Sequence, residues 1–149
     1  MSVRWTLPCE VSSVGDARRA LRNVLEEVGS SIDERNAAAM VITELLANAI
    51  IHADRAGGQI EVVIECSDRQ IHIEVTDQNA RAPVRREVDI DAAAGRGLAI
   101  IDSLSTAWGW DRIGGEGDGN RVWCDVPRPG TERDAPTHRG PAPRFGGGA

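Results

Sequence analysis

The chain has 149 residues, 41% apolar and 27% charged, with a formal net charge of −6. That size fits one domain with a short appendage, and the composition suits a soluble globular protein. No run of about 18 apolar residues exists, which speaks against a helical membrane span, and the scattered basic residues argue against nucleic acid, which selects a clustered basic face.

Lysine is absent and all 17 basic side chains are arginine. This excludes any chemistry that needs a Walker lysine, a Schiff-base lysine or the strand lysine of protein kinases. Cys9, Cys66 and Cys124 are odd in number and far apart, so free thiols are expected rather than disulfides or zinc ligands. The opening "MSVRWTLPCE" has neither the basic start nor the apolar run of a signal peptide, and a cytoplasmic location is expected.

In chain order, "VRWTLP" alternates as a strand that Pro8 ends. A helix capped by Ser12 or Ser13 is expected to run to about Gly29, with Val14, Ala17, Leu21, Val24, Leu25 and Val28 near helical spacing. Asp33 reads as the cap of a second helix, from Glu34 to about Ala53, broken by Gly57 and Gly58. "QIEVVIEC" and "QIHIEVTD" alternate and are joined by the polar residues Ser67 to Arg69, the clearest hairpin in the chain. Residues 79–94 mix charges without a period and read as a loop. "GRGLAIIDSLS" is a glycine turn opening into a short helix, and "WGWDRI" and "NRVWCDV" are strands around the turn "GGEGDG". Trp108 and Trp110 share a strand face and read as core, with Trp123 expected across from them. From Pro127 to Ala149 there is little to bury, so the domain is expected to end at Val126 and a disordered tail to follow. Strands that arrive as hairpins, in the order β-α-α-β-β-loop-α-β-β, predict an α+β two-layer sandwich: a mostly antiparallel or mixed sheet with helices on one face.

The second helix poses the chemical question. Most of "VITELLANAIIHA" is apolar, yet Glu44, Asn48 and His52 recur at steps of four and so lie on nearly one line. Ile42, Leu45, Leu46, Ala49 and Ile50 cover the opposite and adjoining side, so the polar line borders the apolar face. A solvated edge stripe is the plain reading of such a line. The functional one is that a carboxylate and an amide oxygen are held rigidly at a pocket edge. Both are hard donors suited to Mg²⁺, which keeps waters and takes few protein ligands, and a carboxylate there can accept the proton of an attacking hydroxyl. Asp77 closes an alternating strand, where it either meets solvent or accepts a hydrogen bond from an exocyclic amine of a base. Gly95-Arg96-Gly97 opens a helix whose backbone amides can approach an anion. No strand leads directly into this turn and no third glycine follows, so it is not a dinucleotide-binding fingerprint. Base, metal and phosphate sites in this order suit one nucleotide.

At this point the sequence resembles a known family. The order is similar to that of the GHKL ATPases, the histidine-kinase-like superfamily shared with gyrase, heat-shock chaperones and MutL, whose nucleotide domain is the Bergerat fold. It most resembles the small stand-alone bacterial anti-sigma-factor serine/threonine kinases. "TELLANAIIHA" resembles the N box, which implies Asn48 as the Mg²⁺ ligand, Glu44 as the general base and His52 near the phosphates. "VTDQNARAP" stands at the first glycine box, implying Asp77 as the adenine-reading carboxylate. "GRGLAIIDSLSTAWGW" resembles the second glycine box and its helix, implying that Gly95, Arg96, Gly97 and Leu98 hold the phosphates of ATP, and "NRVWCDV" resembles the closing strand. The likeness covers roughly Val3 to Val126.

One box departs from the pattern. D-x-G-x-G is replaced by Asp77-Gln78-Asn79-Ala80-Arg81. Asn79 tolerates a positive φ and can keep the turn, and the Arg81 guanidinium can itself bind phosphate. The resemblance implies a kinase that binds a sigma factor, phosphorylates an antagonist protein and forms a dimer. The altered box supports a second reading, a nucleotide-independent protein-binding module of the same fold.

Overall fold

The computed structural model describes residues 1–52, 58–77, 97, 99–113, 119–128 and 137–138. Strand β1 (Ser2–Pro8) is followed by helices α1 (Ser12–Glu27) and α2 (Ile32–His52), the hairpin β2 (Gln59–Cys66) and β3 (Gln70–Asp77), then β4 (Ala107–Arg112), β5 (Asn120–Pro127) and β6 (Thr137–His138). Residues 97 and 99–104 are helical. The sheet order is β1-β2-β3-β5-β4-β6. The first five strands pair antiparallel, and only the two-residue β6 runs parallel, beside β4. This is the expected α+β architecture.

The hairpin has the expected bounds because a single side chain closes its turn. Ser67 Oγ accepts from the backbone N–H groups of Arg69 and Gln70 at 3.3 and 3.2 Å. Along β3, Ile71, Ile73, Val75 and Asp77 point to one side and are buried, together with Ile60, Val62 and Ile64 of β2 and Cys124 and Val126 of β5. Helix α1 answers with Ala17, Leu21 and Leu25 at steps of four, and α2 with Val41, Ile42, Leu45 and Leu46. These residues form one core, and both helices therefore lie on one face of the sheet.

The helix termini correct the expected caps. Neither Ser12 nor Ser13 caps α1. Val11 stands at the N-cap without a side-chain bond, while the buried Ser13 hydroxyl donates to the Pro8 carbonyl at 2.6 Å. Helix α1 ends in a Schellman turn: Gly29, at φ +70°, and Ser30 donate back to Glu26 and Leu25 at 3.0 and 2.9 Å. Asp33 is not the cap of α2. Ser31 Oγ accepts from Glu34 N–H at 3.2 Å and Glu34 Oε2 accepts from Ser31 N–H at 2.6 Å, a capping box in which both partners satisfy backbone donors.

Two parts of the segment expected to be a tail belong to the folded structure. Arg128 donates through Nε to Glu34 Oε1 at 3.0 Å and through Nη1 to the Ser67 carbonyl at 2.8 Å, tying the end of β5 to the start of α2 and to the β2–β3 turn. Thr137–His138 pairs with Ala107 and Trp108. The Arg128 closure, two residues past Val126, is made by a charged residue, which offers nothing to a hydrophobic pattern.

Trp108 and Trp110 share a face as expected, and Trp123 differs from expectation. Trp108 and Trp110 face the helices, opposite Cys124 and Val122. Trp123 pairs with Gly109 and so points to the other, open face, where its ring stacks on His72 with centroids 5.9 Å apart. Burial decides the choice of face: Cys124 is 0% exposed and takes the core position, which sends its neighbour outward.

On that open face His72 Nδ1 lies 2.6 Å from Asp125 Oδ1, and Nε2 lies 3.7 Å from Glu74. The hydrogen bond to Asp125 holds the imidazole pKa above its ordinary 6.5, against the downward pull of burial. A folded-state pKa raised in this way stabilises fully below about pH 6.5, and the contribution is lost as pH rises through the raised value. Chemical denaturation across this interval should show stability falling with pH, and His72→Gln should flatten the slope. A wild-type stability that stays level there would mean that the pair carries no proton.

Candidate functional site

Helix α2 starts at the hairpin end of the sheet, where Arg128 holds Glu34. It packs across β3 and β5. From Glu34 to Asn48 it rises about 21 Å, close to the length of β3 from Gln70 to Asp77, roughly 24 Å. Its last third thus reaches the end of the sheet that carries Asp77. There Leu45 and Leu46 are buried in the core, and the borders of that apolar stripe bring Glu44 and Asn48 to the rim.

Asn48 is 6% exposed, and its Nδ2 is buried without a hydrogen-bond partner among the described residues. A buried amide donor left unmade costs about 1–3 kcal/mol, so its position needs a reason. A half-turn about χ2 exchanges its two ends, so the same amide can present Oδ1 to a cation or NH₂ to an anion. Asp77 is 7% exposed and lies on the helix-facing side of β3, the side on which α2 packs. Its charge also reaches Cys9, whose thiol is pushed up first by burial and then by Asp77. Cys9 donates its N–H to the Gly58 carbonyl at 2.8 Å, at the same sheet end. Its proximity to Asp77 had no signal in the sequence, since the two lie on strands that meet only through β2.

Glu44 and Gly97 come into contact. A Cβ built on Gly97 would stand 2.6 Å from Glu44 Oε2 and 3.6 Å from its Cδ. The carboxylate therefore lies directly against Gly97, which is buried and helical, as residues 99–104 are helical. That segment is locked to the sheet by a hydrogen bond from Trp108 Nε1 to Asp102 and by Ser105 Oγ donating to the Ile101 carbonyl at 2.5 Å. Trp110 Nε1 is a second buried donor without a partner among the described residues, on the helix-facing side and one residue pair short of the Asp77 row. The alternation of "WGWDRI" gives its face but not its unmet N–H.

Of the sequence-predicted site residues, the structure thus brings Glu44 against Gly97 and sets Asn48 one turn further along α2. Asp77 lies on the same face and at the same end. His52 is the last residue of α2, and its side chain lies outside the described residues. Asn79, Arg81, Gly95, Arg96 and Leu98 also lie outside them. The residues present fit a magnesium nucleotide: a buried amide with an unmet polar end, a carboxylate one turn away and a glycine against that carboxylate.

The free thiols are as expected. Cys124 is pushed up to about 12, chiefly by burial, and is a packing residue. No helix among the described residues is long and apolar enough to cross a membrane.

The family described as histidine kinase-like ATPase domain matches residues 7–125. The chain belongs to that family. Its fold is also that of solved relatives. The RsbU and RsbW domains of Rv1364c from Mycobacterium tuberculosis superpose with a TM-score of 0.62 at 21% identity, over 87% of this chain and 33% of that one. This chain therefore spans about a third of that protein's length. The SiaB-SiaC complex from Pseudomonas aeruginosa contains a chain that superposes with a TM-score of 0.60 at 15% identity, over 84% and 89%. No curated protein sequence matches significantly.

An unmet amide held for a ligand is a cost to the free protein. Asn48→Leu should therefore raise the melting temperature of the ligand-free chain, by roughly 1–2 kcal/mol of stability, as apolar volume replaces the unpaired donor. Differential scanning calorimetry reads this directly. A lower melting temperature would show that the amide is already satisfied.

Proposed function

We propose that this chain binds ATP with Mg²⁺ and acts as a serine/threonine protein kinase of the anti-sigma-factor type. It would hold a sigma factor inactive and phosphorylate an antagonist protein in the cytoplasm, as a homodimer. The observation that carries the chemical part is the Glu44 carboxylate set against Gly97, with the unmet amide of Asn48 one turn along the same helix. The family match supports the nucleotide, and the partner-switching role is supported by the likeness to an RsbW domain and to a complex of two proteins.

In this reading Asp77 accepts a hydrogen bond from the exocyclic amine of adenine. Asn48 holds the Mg²⁺, which neutralises phosphate charge. Gly95, Arg96, Gly97 and Leu98 cradle the phosphates, with His52 beside them, while Asn79 keeps the turn after Asp77 and Arg81 pairs with phosphate. A serine or threonine hydroxyl oxygen of the antagonist attacks the γ-phosphorus. Its proton passes to Glu44, the bond from the γ-phosphorus to the bridging oxygen breaks, and ADP leaves with the electron pair. Positioning and charge neutralisation supply most of the acceleration in such a transfer.

The sequence Asp77-Gln78-Asn79-Ala80-Arg81 favours the second reading, regulation by protein contact alone, because two glycines of the usual box are replaced. Variants separate the two. Asp77→Asn should weaken Mg-ATP about five- to hundred-fold, about 1–3 kcal/mol, because an amide NH₂ then faces the base amine. Glu44→Ala should leave Mg-ATP affinity intact and abolish appearance of labelled phosphate on a co-purified protein, since a general base acts on the nucleophile and not on ground-state binding. Phosphate transfer that survives Glu44→Ala would remove Glu44 from the reaction.

A further inference from the structure

We infer that Gly97 is a positioning residue for the general base: the hydrogen at its Cα leaves the space in which the Glu44 carboxylate stands. The inference rests on the proposed role of Glu44. It adds that the position of that carboxylate is set from outside α2, by the helical segment that faces it.

The argument is steric. Among the described residues, the three heavy atoms nearest a Cβ built at Gly97 all belong to Glu44: Oε2 at 2.6 Å, Cδ at 3.6 Å and Cβ at 4.0 Å. A contact of 2.6 Å between a carbon and a carboxylate oxygen is well inside van der Waals separation, so any side chain at 97 must displace the carboxylate. No positive φ is recorded at Gly97, unlike Gly29 and Gly119, so glycine is not required there for backbone conformation. Helical geometry at 97 suits alanine. What only glycine supplies is room for Oε2.

The displaced atom also decides the energetics. Oε2 is the tip of a flexible side chain on a residue that is half-buried and not part of the core. Two staggered torsions and a broad carboxylate rotation let it turn away at small cost. Gly97→Ala is therefore expected to fold as the wild type does while the Glu44 carboxylate moves by about 1 Å, enough to open the 2.6 Å approach to ordinary contact. Misplacing a base by about 1 Å costs about a hundred-fold in a step that needs an attacking group within hydrogen-bond reach. The remainder of the pocket, Asn48 and Asp77, does not touch the new methyl group within 4 Å.

The test compares wild type, Gly97→Ala and Glu44→Ala with Mg-ATP as the probe. It reads melting temperature, Mg-ATP affinity by calorimetry, γ-phosphate release to water, and the carboxyl resonance of Glu44 in protein labelled with ¹³C-carboxyl glutamate. The resonance is assigned by its absence in Glu44→Ala. Gly97→Ala keeps the backbone amide through which residue 97 would meet phosphate, so the expected results are an unchanged melting temperature, affinity and KM within about threefold, and kcat lower by ten-fold or more. The Glu44 resonance should move in the ligand-free protein. A raised KM at unchanged kcat would overturn the inference, because Gly97 would then serve only the approach of phosphate. Loss of the fold in Gly97→Ala, or a Glu44 resonance that does not move, would overturn it too. Wild-type protein that binds Mg-ATP but releases no phosphate would sink the general-base reading instead, and the resonance would then decide the spacing claim by itself.

Discussion

The seating of α2 across β3 and β5 is the constraint on which the rest depends. Val41, Ile42, Leu45 and Leu46 are all within 1% of complete burial, and together they fix the rotation of the helix about its axis. Once that rotation is fixed, the side chains at 44 and 48 have no freedom of face: they emerge along the border of the apolar stripe. The capping box at Ser31 and Glu34 and the closure of Arg128 on Glu34 fix the helix along its length as well. Burying an ion pair gives little net stability over an apolar alternative, so the contribution of Arg128 is geometric. It sets where α2 begins, and therefore where Asn48 arrives.

Asp77 is placed by the same logic. Alternation along β3 puts Asp77 in line with Ile71, Ile73 and Val75. A carboxylate in that row is driven under the helices by its neighbours, whatever its own preference for water. The segment beginning at Gly97 is then held by the Trp108–Asp102 bond at its far end. Two elements positioned by apolar burial, α2 and β3, thus deliver Glu44, Asn48 and Asp77 to one end of the sheet, and the helical residues held by Asp102 set Gly97 against Glu44. Two of the three buried polar atoms without a partner among the described residues, Asn48 Nδ2 and Trp110 Nε1, lie toward this end, and the third, Ser30 Oγ, lies in the turn between α1 and α2.

Much of this was legible in the sequence, for identifiable reasons. The β2–β3 hairpin was readable to the residue because alternation and a polar turn agree. The polar line in α2 was readable because 44 and 48 are one turn apart. Other features were not. Ser31-Ile32-Asp33-Glu34 contains a capping box, but Asp33 is an equally good cap by type, and only the reciprocal hydrogen bonds decide between them. Trp123 sits on the open face because Cys124 takes the buried place, a choice between two apolar neighbours that a period of two leaves undecided. Arg128 lies 94 residues from Glu34, and no local pattern announces their pairing. The contact of Glu44 with Gly97 joins two motifs that are each visible alone, but the 2.6 Å that makes glycine necessary is a property of the packed chain.

The central claim is that this end of the sheet is a working nucleotide site despite the altered box that follows Asp77. Isothermal titration of the unmutated chain with ATP, with and without Mg²⁺, tests it most directly. The account predicts saturable heat at one site per chain that weakens when the metal is withheld. No heat and no thermal shift at millimolar Mg-ATP would contradict it, and the fold would then serve protein contact alone.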